Sequence, residues 1–341
     1  MIDKLLEWIR ESRNITITTH MNPDGDGLGS ELALSRQLRE AGKRVRVLNC
    51  DPVPERYRFL DPDEESEVFQ EDRDAAFIRD CDLLFVLDNS SMNRMGRMEE
   101  PIRTTNARKI CIDHHVMPGA EEGGKGGENP WDLLWNVPET AATGELVFQL
   151  IVALGGPMTL AKAEPLYVTL VTDTGNFRFS KTNSQSHEIA AQLLACGVNP
   201  VKVYQEIFER NSVAFMRLLG YALTNFQEDC DGRLVWVTMN RARITDNGAE
   251  EEDTSEMVNF FFQIYQVRMA ILFKELPGGK TKVSLRSKGD LDVNRLAVQF
   301  GGGGHRNASG IVVDLPLDRA TETILGEARK MFPGSPTSPS N

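Results

Sequence analysis

The sequence predicts an α/β chain, a parallel-sheet domain followed by a smaller α+β domain, and three observations predict it. Short apolar runs such as Leu83-Leu84-Phe85-Val86-Leu87 alternate with stretches of helical spacing, the pattern of strands buried on both faces and joined by helices. Three of those strands end abruptly in histidine or aspartate. Beyond about residue 215 the order changes to strands that enclose fewer helices, which marks a separate unit. With 341 residues the chain is long for one ordinary core, and its 40% hydrophobic and 26% charged composition is that of a folded protein.

Residues 14–19 open the first domain as a strand rich in β-branched side chains. After the loop His20-Met21-Asn22-Pro23-Asp24-Gly25-Asp26-Gly27, helical spacing runs through Leu28, Leu32 and Leu38 and stops at Gly42. Strands follow at 45–48, 83–87 and 109–112, and helices at 139–154, 161–172 and 186–196, the last broken by Gly197 and Pro200. In the second domain, strands at 234–239, 268–273 and 281–287 enclose a helix near 255–264, and a helix at 293–300 precedes Gly301-Gly302-Gly303-Gly304-His305. The expected division is 1–190 for the first domain, 191–214 for a helical linker, 215–332 for the second domain and 333–341 for a disordered Pro- and Ser-rich tail. Two charge-rich stretches, Asp61–Asp74 and the loop 121–127, are expected as solvated surface.

No run approaches the roughly 18 apolar residues of a membrane span, and Asp3 and Glu7 stand where a signal peptide needs basic residues, so a cytoplasmic location is expected. Five cysteines, Cys50, Cys81, Cys111, Cys196 and Cys230, lack CxxC spacing and read as reduced and mostly buried. A net charge of -12 opposes long sliding contact with nucleic acid, whereas a small phosphorylated substrate stays open because a local metal site overrules global charge.

Ligands of open parallel sheets bind beyond the carboxyl ends of the strands. Thr19-His20, Leu87-Asp88-Asn89 and Ile112-Asp113-His114-His115 all fall at such ends, and Asp173 follows a helix. Alone, the first loop reads equally as a strand-to-helix turn shaped by Pro23 and Gly25 and capped by Asp24 or Asp26. Asn22 and Ser30 read either as turn and cap residues or as hydrogen-bonding groups beside a metal. Carboxylates crowded at one sheet edge repel each other, and a metal cation removes that repulsion. Carboxylate oxygen with imidazole nitrogen suits divalent ions such as manganese or magnesium, and none of the cysteines enters these motifs. Four of the five histidines do: His20, His114, His115 and His305.

HMNPDGDGLGS at 20–30, LDNS around Asp88, DHH at 113–115 and TDTGNFRF from Thr172 resemble the motifs of the DHH phosphoesterase superfamily. GGGGHRNASG at 301–310, with SLRSK at 284–288, resembles the DHH-associated substrate domain. The subgroup most similar in this combination is the stand-alone bacterial nano-RNases that also act as phosphatases on 3′-phosphoadenosine 5′-phosphate. The resemblance implies an active site in the cleft between the two domains and two divalent metal ions, manganese first, with magnesium or cobalt as alternatives. It implies that His20 and Asp24 hold one metal, that Asp26, His114 and Asp173 hold the other, and that Asp88 bridges both. Asp113 would orient a histidine, His115 would face the substrate and protonate the leaving oxygen, and Gly25, Gly27 and Gly29 would let the loop turn tightly. Arg286, His305 and the backbone of Gly302, Gly303 and Gly304 would bind the substrate's terminal phosphate. A fixed distance between that anchor and the metals would select short RNA, dinucleotides and nucleoside bisphosphates over long nucleic acid. Since many relatives pair, a homodimer is expected as well.

Other readings separate on sequence features. Inorganic pyrophosphatases of the superfamily carry a different second domain, and single-strand DNA exonucleases are longer. Phosphodiesterases for linear products of cyclic dinucleotides stay open as the substrate alternative. Outside enzymes the competitor is a nucleotide-binding sensor, which has no need of the bridging Asp88.

Overall fold

The computed structural model describes residues 1–115, 129–249 and 254–332. The loop 121–127 and the tail 333–341 lie outside the described residues, as does the His305 side chain. Contacts divide the chain into two compact units, Met1–Arg210 and Asn211–Asn341.

The first unit runs α1 (Ile2–Glu11), β1 (Asn14–Thr18), α2 (Gly25–Glu40), β2 (Arg44–Asn49), β3 (Ser66–Val68), α3 (Glu71–Asp80), β4 (Leu83–Leu87), α4 (Glu99–Thr104), β5 (Arg108–Asp113), β6 (Leu133–Asn136), α5 (Thr143–Leu154), α6 (Leu160–Asp173), α7 (Ser184–Ala195) and α8 (Pro200–Phe208). The strands pair in parallel in the order β3-β2-β1-β4-β5-β6. All five residues of β4 are buried, as a central strand covered on both faces requires. From β1 the chain steps to β2 and β3 on one side and later to β4, β5 and β6 on the other, so the order reverses between β1 and β4. Such a switch point opens a crevice at the carboxyl edge of the sheet.

Helix α2 leads from that edge, and almost all its length is buried. Its glycines do not make the turn, contrary to expectation. Gly25, Gly27 and Gly29 lie within α2, and a Cβ on Gly25 or Gly29 would strike Thr172 or the Pro165 carbonyl of α6. They permit close helix packing, while Asn22 makes the turn, with φ 53° and its N–H donated to Asp51. Pro165 has no N–H for the carbonyl of Ala161, and the Arg36 guanidinium donates to that carbonyl at 2.6 Å instead.

Two expectations for this unit change. Leu193, Val203 and Ile207, within the stretch read as a linker, belong to the core of the first unit. The Asp61–Asp74 stretch is not simply solvated: Asp74 is fully buried against Arg46 and Arg73, Asp61 accepts from the N–H groups of Glu65 and Ser66, and Glu65 pairs with Arg36 and Arg39. Spacing reveals charge but not the arginines that come from β2 and α2. Four of the five free cysteines are buried.

The second unit runs α9 (Val213–Asn225), β7 (Gln227–Asp229), β8 (Leu234–Met239), α10 (Arg241–Asp246), β9 (Met269–Glu275), β10 (Thr281–Ser287), α11 (Val293–Gln299), β11 (Gly303–His305), β12 (Ala308–Val313) and α12 (Leu317–Lys330). Its sheet has the order β11-β12-β10-β9-β8-β7 and is antiparallel except for the parallel pair β8–β9. The helix expected near 255–264 is a 3₁₀ helix over Ser255–Gln263. Among the described residues no helix is long and apolar enough to cross a membrane.

Candidate metal centre

The crevice between β1 and β4 collects the polar strand ends. Thr19 and His20 follow β1, Asp88 follows β4, and Asp113 closes β5 before His114 and His115. Asp24 and Asp26 stand at the start of α2, and Asp173 ends α6. Two side chains align the first two ends: Thr19 donates its hydroxyl to the Leu87 carbonyl at 2.8 Å and its N–H to Asn49 Oδ1 at 3.2 Å. Asp88 adopts φ 59°, the left-handed conformation that aspartate tolerates better than most non-glycine residues, and is almost fully buried.

Around Asp88 the donors fall into two groups. His20 Nε2 lies 3.6 Å from Asp24 Oδ2 and 3.5 Å from Asp88 Oδ2. His114 Nε2 lies 3.1 Å from Asp173 Oδ2, 3.5 Å from Asp88 Oδ1 and 3.6 Å from Asp26 Oδ2. Each oxygen of Asp88 therefore faces a different histidine. Ligand-type atoms of His20, Asp24 and Asp88 lie within 4.8 Å of one another, as do those of Asp26, His114 and Asp173, and of Asp88, His114 and His115.

Each donor is aimed by its remaining atoms. Asp24 caps α2 through Oδ1, which accepts from the N–H groups of Asp26 and Gly27, and this leaves Oδ2 toward His20. Asp26 accepts from the Thr143 and Gly144 N–H groups at 2.6 and 2.9 Å, so the positive end of α5 holds it. The Thr143 hydroxyl donates to Asp88 Oδ1 at 2.9 Å. His20 and His114 both turn Nδ1 to backbone carbonyls, of Met21 at 2.7 Å and of Thr140 at 3.1 Å. Those contacts assign the ring proton to Nδ1 and direct Nε2 into the carboxylates.

The charges are badly matched without a cation. Burial, then the Asp88, Asp173 and Asp24 charges, push the Asp26 carboxyl well above its ordinary value. Burial raises Asp173 to about 6, with the Asp88 and Asp24 charges outweighing the lowering by His114. Burial lowers the imidazoles of His20 and His114, but the carboxylates outweigh it and carry them up to about 10 and about 9. Burial raises Asp24 and Asp113, yet His20 and His115 respectively hold both down at about 2. Nε2 of His20 and of His114 is buried with no hydrogen-bond partner among the described residues. Two lone nitrogens aimed at crowded carboxylates fit a divalent cation, and the oxygen-and-imidazole donor set fits a hard to borderline one.

His115 sits beside this cluster. Its Nδ1 is 2.8 Å from Asp113 Oδ1 and 3.6 Å from Asp88 Oδ1, and its ring is partly exposed. Asp113 Oδ1 also accepts the N–H groups of His114 and His115, which fixes the turn that presents both rings.

The remaining predicted residues lie in the second unit. Arg286 on β10 donates to Glu256 at 3.2 Å and to the Leu285 carbonyl. Gly303, Gly304 and His305 form β11, paired with β12, so the glycine run is an edge strand and not a free loop. Gly304 has φ 146°, and a Cβ there or on Gly302 would strike the β12 backbone.

Sequence reasoning missed several residues that shape the site. Thr143 falls inside the helix predicted over 139–154 and opens the observed α5, yet no local pattern reveals its partners more than 50 positions away. Tyr57 is buried near α2; burial and the Asp24 charge raise its hydroxyl to about 12. Glu31 is fully buried on α2 and accepts from Asn49 Nδ2 at 2.8 Å, where helical spacing alone suggests only another polar position.

The DHH family N-terminal domain matches residues 14–197, and the DHHA1 domain matches residues 233–331. The chain is 32% identical over 320 residues to the bifunctional oligoribonuclease and PAP phosphatase NrnA of Thermus thermophilus, covering 93% of this chain and 89% of that protein. It shares its fold with an exopolyphosphatase-related protein of Bacteroides fragilis, with TM-score 0.89, 28% identity and coverage of 97% of this chain and 96% of that one. RecJ of Thermus thermophilus in complex with Mn2+ shares the fold more distantly, with TM-score 0.55, 15% identity and coverage of 98% of this chain and 55% of that one. Because the matched domain spans more than half of the chain and holds all seven clustered aspartates and histidines, the protein belongs to the DHH family.

Proposed function

We propose that the protein is a metal-dependent phosphoesterase that hydrolyses short oligoribonucleotides to mononucleotides and removes the 3′ phosphate of 3′-phosphoadenosine 5′-phosphate. The observation that carries the reading is Asp88, buried between His20 and His114 with one oxygen toward each. The identity of the chain to an oligoribonuclease and PAP phosphatase supports the substrate class.

In this reading His20 and Asp24 hold one divalent cation, Asp26, His114 and Asp173 hold a second, and Asp88 touches both, with manganese the first choice. Cations held there supply positive charge to a phosphoryl group and acidify a water molecule for in-line attack. Asp113 orients the His115 ring through Nδ1, and Nε2 gives a proton to the leaving oxygen. Thr143 and the α5 N-terminus aim Asp26 and Asp88. In the second unit, Arg286, the backbone of Gly302, Gly303 and Gly304, and His305 anchor the substrate's terminal phosphate, Arg286 in a bidentate manner once it leaves Glu256.

The test is hydrolysis with manganese of 5′-phosphorylated RNA from two nucleotides upward, with adenosine 3′,5′-bisphosphate and pyrophosphate alongside. Mononucleotide release that falls steeply with length, together with phosphate release from the bisphosphate, is the expected result. Cleavage of pyrophosphate alone, or equal rates on long strands, overturns the substrate assignment. An Asp88→Ala protein that still hydrolyses overturns the site, whereas one that only binds nucleotide is the expected loss. Light scattering on the same preparation tests the homodimer.

A further inference from the structure

The loop after Asp173 returns to the DHH segment and delivers a positive charge there. Gly175, Asn176 and Phe177 take three successive positive φ values, 55°, 59° and 62°, which reverse the chain directly after α6. The N–H groups of Arg178 and Phe179 then donate to the Thr174 carbonyl, and that of Thr182 to the Phe179 carbonyl. Asn183 caps α7 through the Ser186 N–H, so the backbone of Lys181 is held between a closed turn and a helix cap. From that position the Lys181 ammonium donates to the backbone carbonyl of His114 at 3.3 Å.

Lys181 is exposed, and among the described residues no carboxylate lies within ion-pair distance of it. Its one recorded hydrogen bond leaves two of the three ammonium protons for other acceptors. The site beside it is dominated by carboxylates, and an incoming phosphate ester brings further negative charge. A cation on a flexible stem at the rim of such a cluster is suited to the oxygens of that ester.

We infer that Lys181 is a substrate contact whose ammonium binds a non-bridging oxygen of the reacting phosphoryl group, beside His114. This rests on the phosphoesterase reading and adds to it a residue outside the aspartate–histidine set. The competing role is a neutral clamp, in which the amine merely holds the His114 carbonyl.

Lys181→Gln separates the two, because an amide still donates to a carbonyl but carries no charge; Lys181→Met removes both, and Lys181→Arg keeps both. The assay is manganese-dependent hydrolysis of a 5′-phosphorylated RNA dinucleotide, with inhibition by inorganic phosphate as the binding readout. Charged hydrogen bonds of this kind predict a fall in kcat/KM of roughly ten- to hundred-fold for both Lys181→Gln and Lys181→Met. The inhibition constant for phosphate should rise in the same two variants, and Lys181→Arg should retain most of both properties. A Lys181→Gln protein equal to wild type, whether or not Lys181→Met is impaired, overturns the inference. A wild-type protein that hydrolyses no phosphoester fails the underlying reading and takes this inference with it; a hydrolysing wild type with indifferent variants fails the inference alone.

Discussion

Replacing Glu31 with glutamine should stabilise the protein at alkaline pH and leave it unchanged at acid pH. Glu31 is fully buried in α2, and its Oε1 has no hydrogen-bond partner among the described residues. Burial raises its carboxyl from 4.5 to about 8, with the Asp61 and Asp88 charges adding to the rise and Asn49 and His20 opposing it. In the unfolded chain the same group ionises near 4.5, so between these values the folded state holds a proton that the unfolded state has lost. Stability is therefore lost as pH rises from about 4.5 to about 8. At about 1.4 kcal/mol per pH unit the full shift is worth about 5 kcal/mol, and relaxation of the site reduces it to a realised 2–5 kcal/mol. Glutamine keeps the acceptor for Asn49 Nδ2 and removes the titration. Urea unfolding of wild type and Glu31→Gln at pH 5 to 8.5 measures the difference, with fluorescence dominated by Trp8, Trp131 and Trp135 of the first unit. The two stabilities should coincide near pH 5 and diverge as pH rises, the variant being the more stable. Parallel curves across the range would falsify the assignment of a protonated Glu31.

Three further outcomes follow from the same coordinates. Thr143→Val removes the hydroxyl that donates to Asp88 at 2.9 Å, and manganese affinity should drop roughly 10- to 100-fold; Thr143→Ser should restore it, and equal affinities by calorimetry would remove Thr143 from the site. Gly29→Ala drives a Cβ into the Pro165 carbonyl, so overpacking of about 1–3 kcal/mol should lower Tm by roughly 3–10 °C, and an unchanged Tm by scanning calorimetry would show that α2 and α6 can separate. Manganese added to chelator-treated protein at pH 7 should release protons, because His20 and His114, raised to about 10 and about 9, must lose them to bind a cation. Calorimetry in two buffers of different ionisation enthalpy reads that release, and affinity should climb from pH 6 to pH 9; a pH-independent affinity would contradict the assigned rings.

Legibility in the sequence followed how local each signal is. β4 was readable because five consecutive apolar residues can hardly be anything but a doubly covered strand, and its end at Asp88 followed. The residues at strand ends were readable for the same reason: a parallel sheet sends every carboxyl end to one edge, so three strand boundaries place His20, Asp88 and Asp113 together. The glycines of α2 were misread because composition gives their freedom to turn but not the neighbour that needs their missing Cβ, here Pro165 and Thr172. β12 and α12 went unread, the first because Ala308-Ser309-Gly310 at its start looks like loop. Asp74 was misread because its partner Arg46 comes from another strand.

The long-range part of the site also explains how so acidic a cluster survives folding. Asp24, Asp26, Asp88, Asp113 and Asp173 crowd one edge, and Coulomb repulsion alone would expel or protonate them. Four of them have hydrogen-bonded supports: from far along the chain, the α5 N-terminus for Asp26 and the Thr143 hydroxyl for Asp88, and from their own neighbours, the α2 N-terminus for Asp24 and the N–H groups of His114 and His115 for Asp113. Asp173 lacks a helix N-terminus of its own and sits at the negative end of α6, where the dipole adds to repulsion. Burial, with the Asp88 and Asp24 charges, raises it to about 6, and it depends on the ring of His114 at 3.1 Å. Asp26, pushed well above its ordinary value despite the α5 N-terminus, and Asp173 are thus the carboxylates that gain most from a cation at His114 Nε2, and through Asp173 the stability of the end of α6 is tied to metal loading.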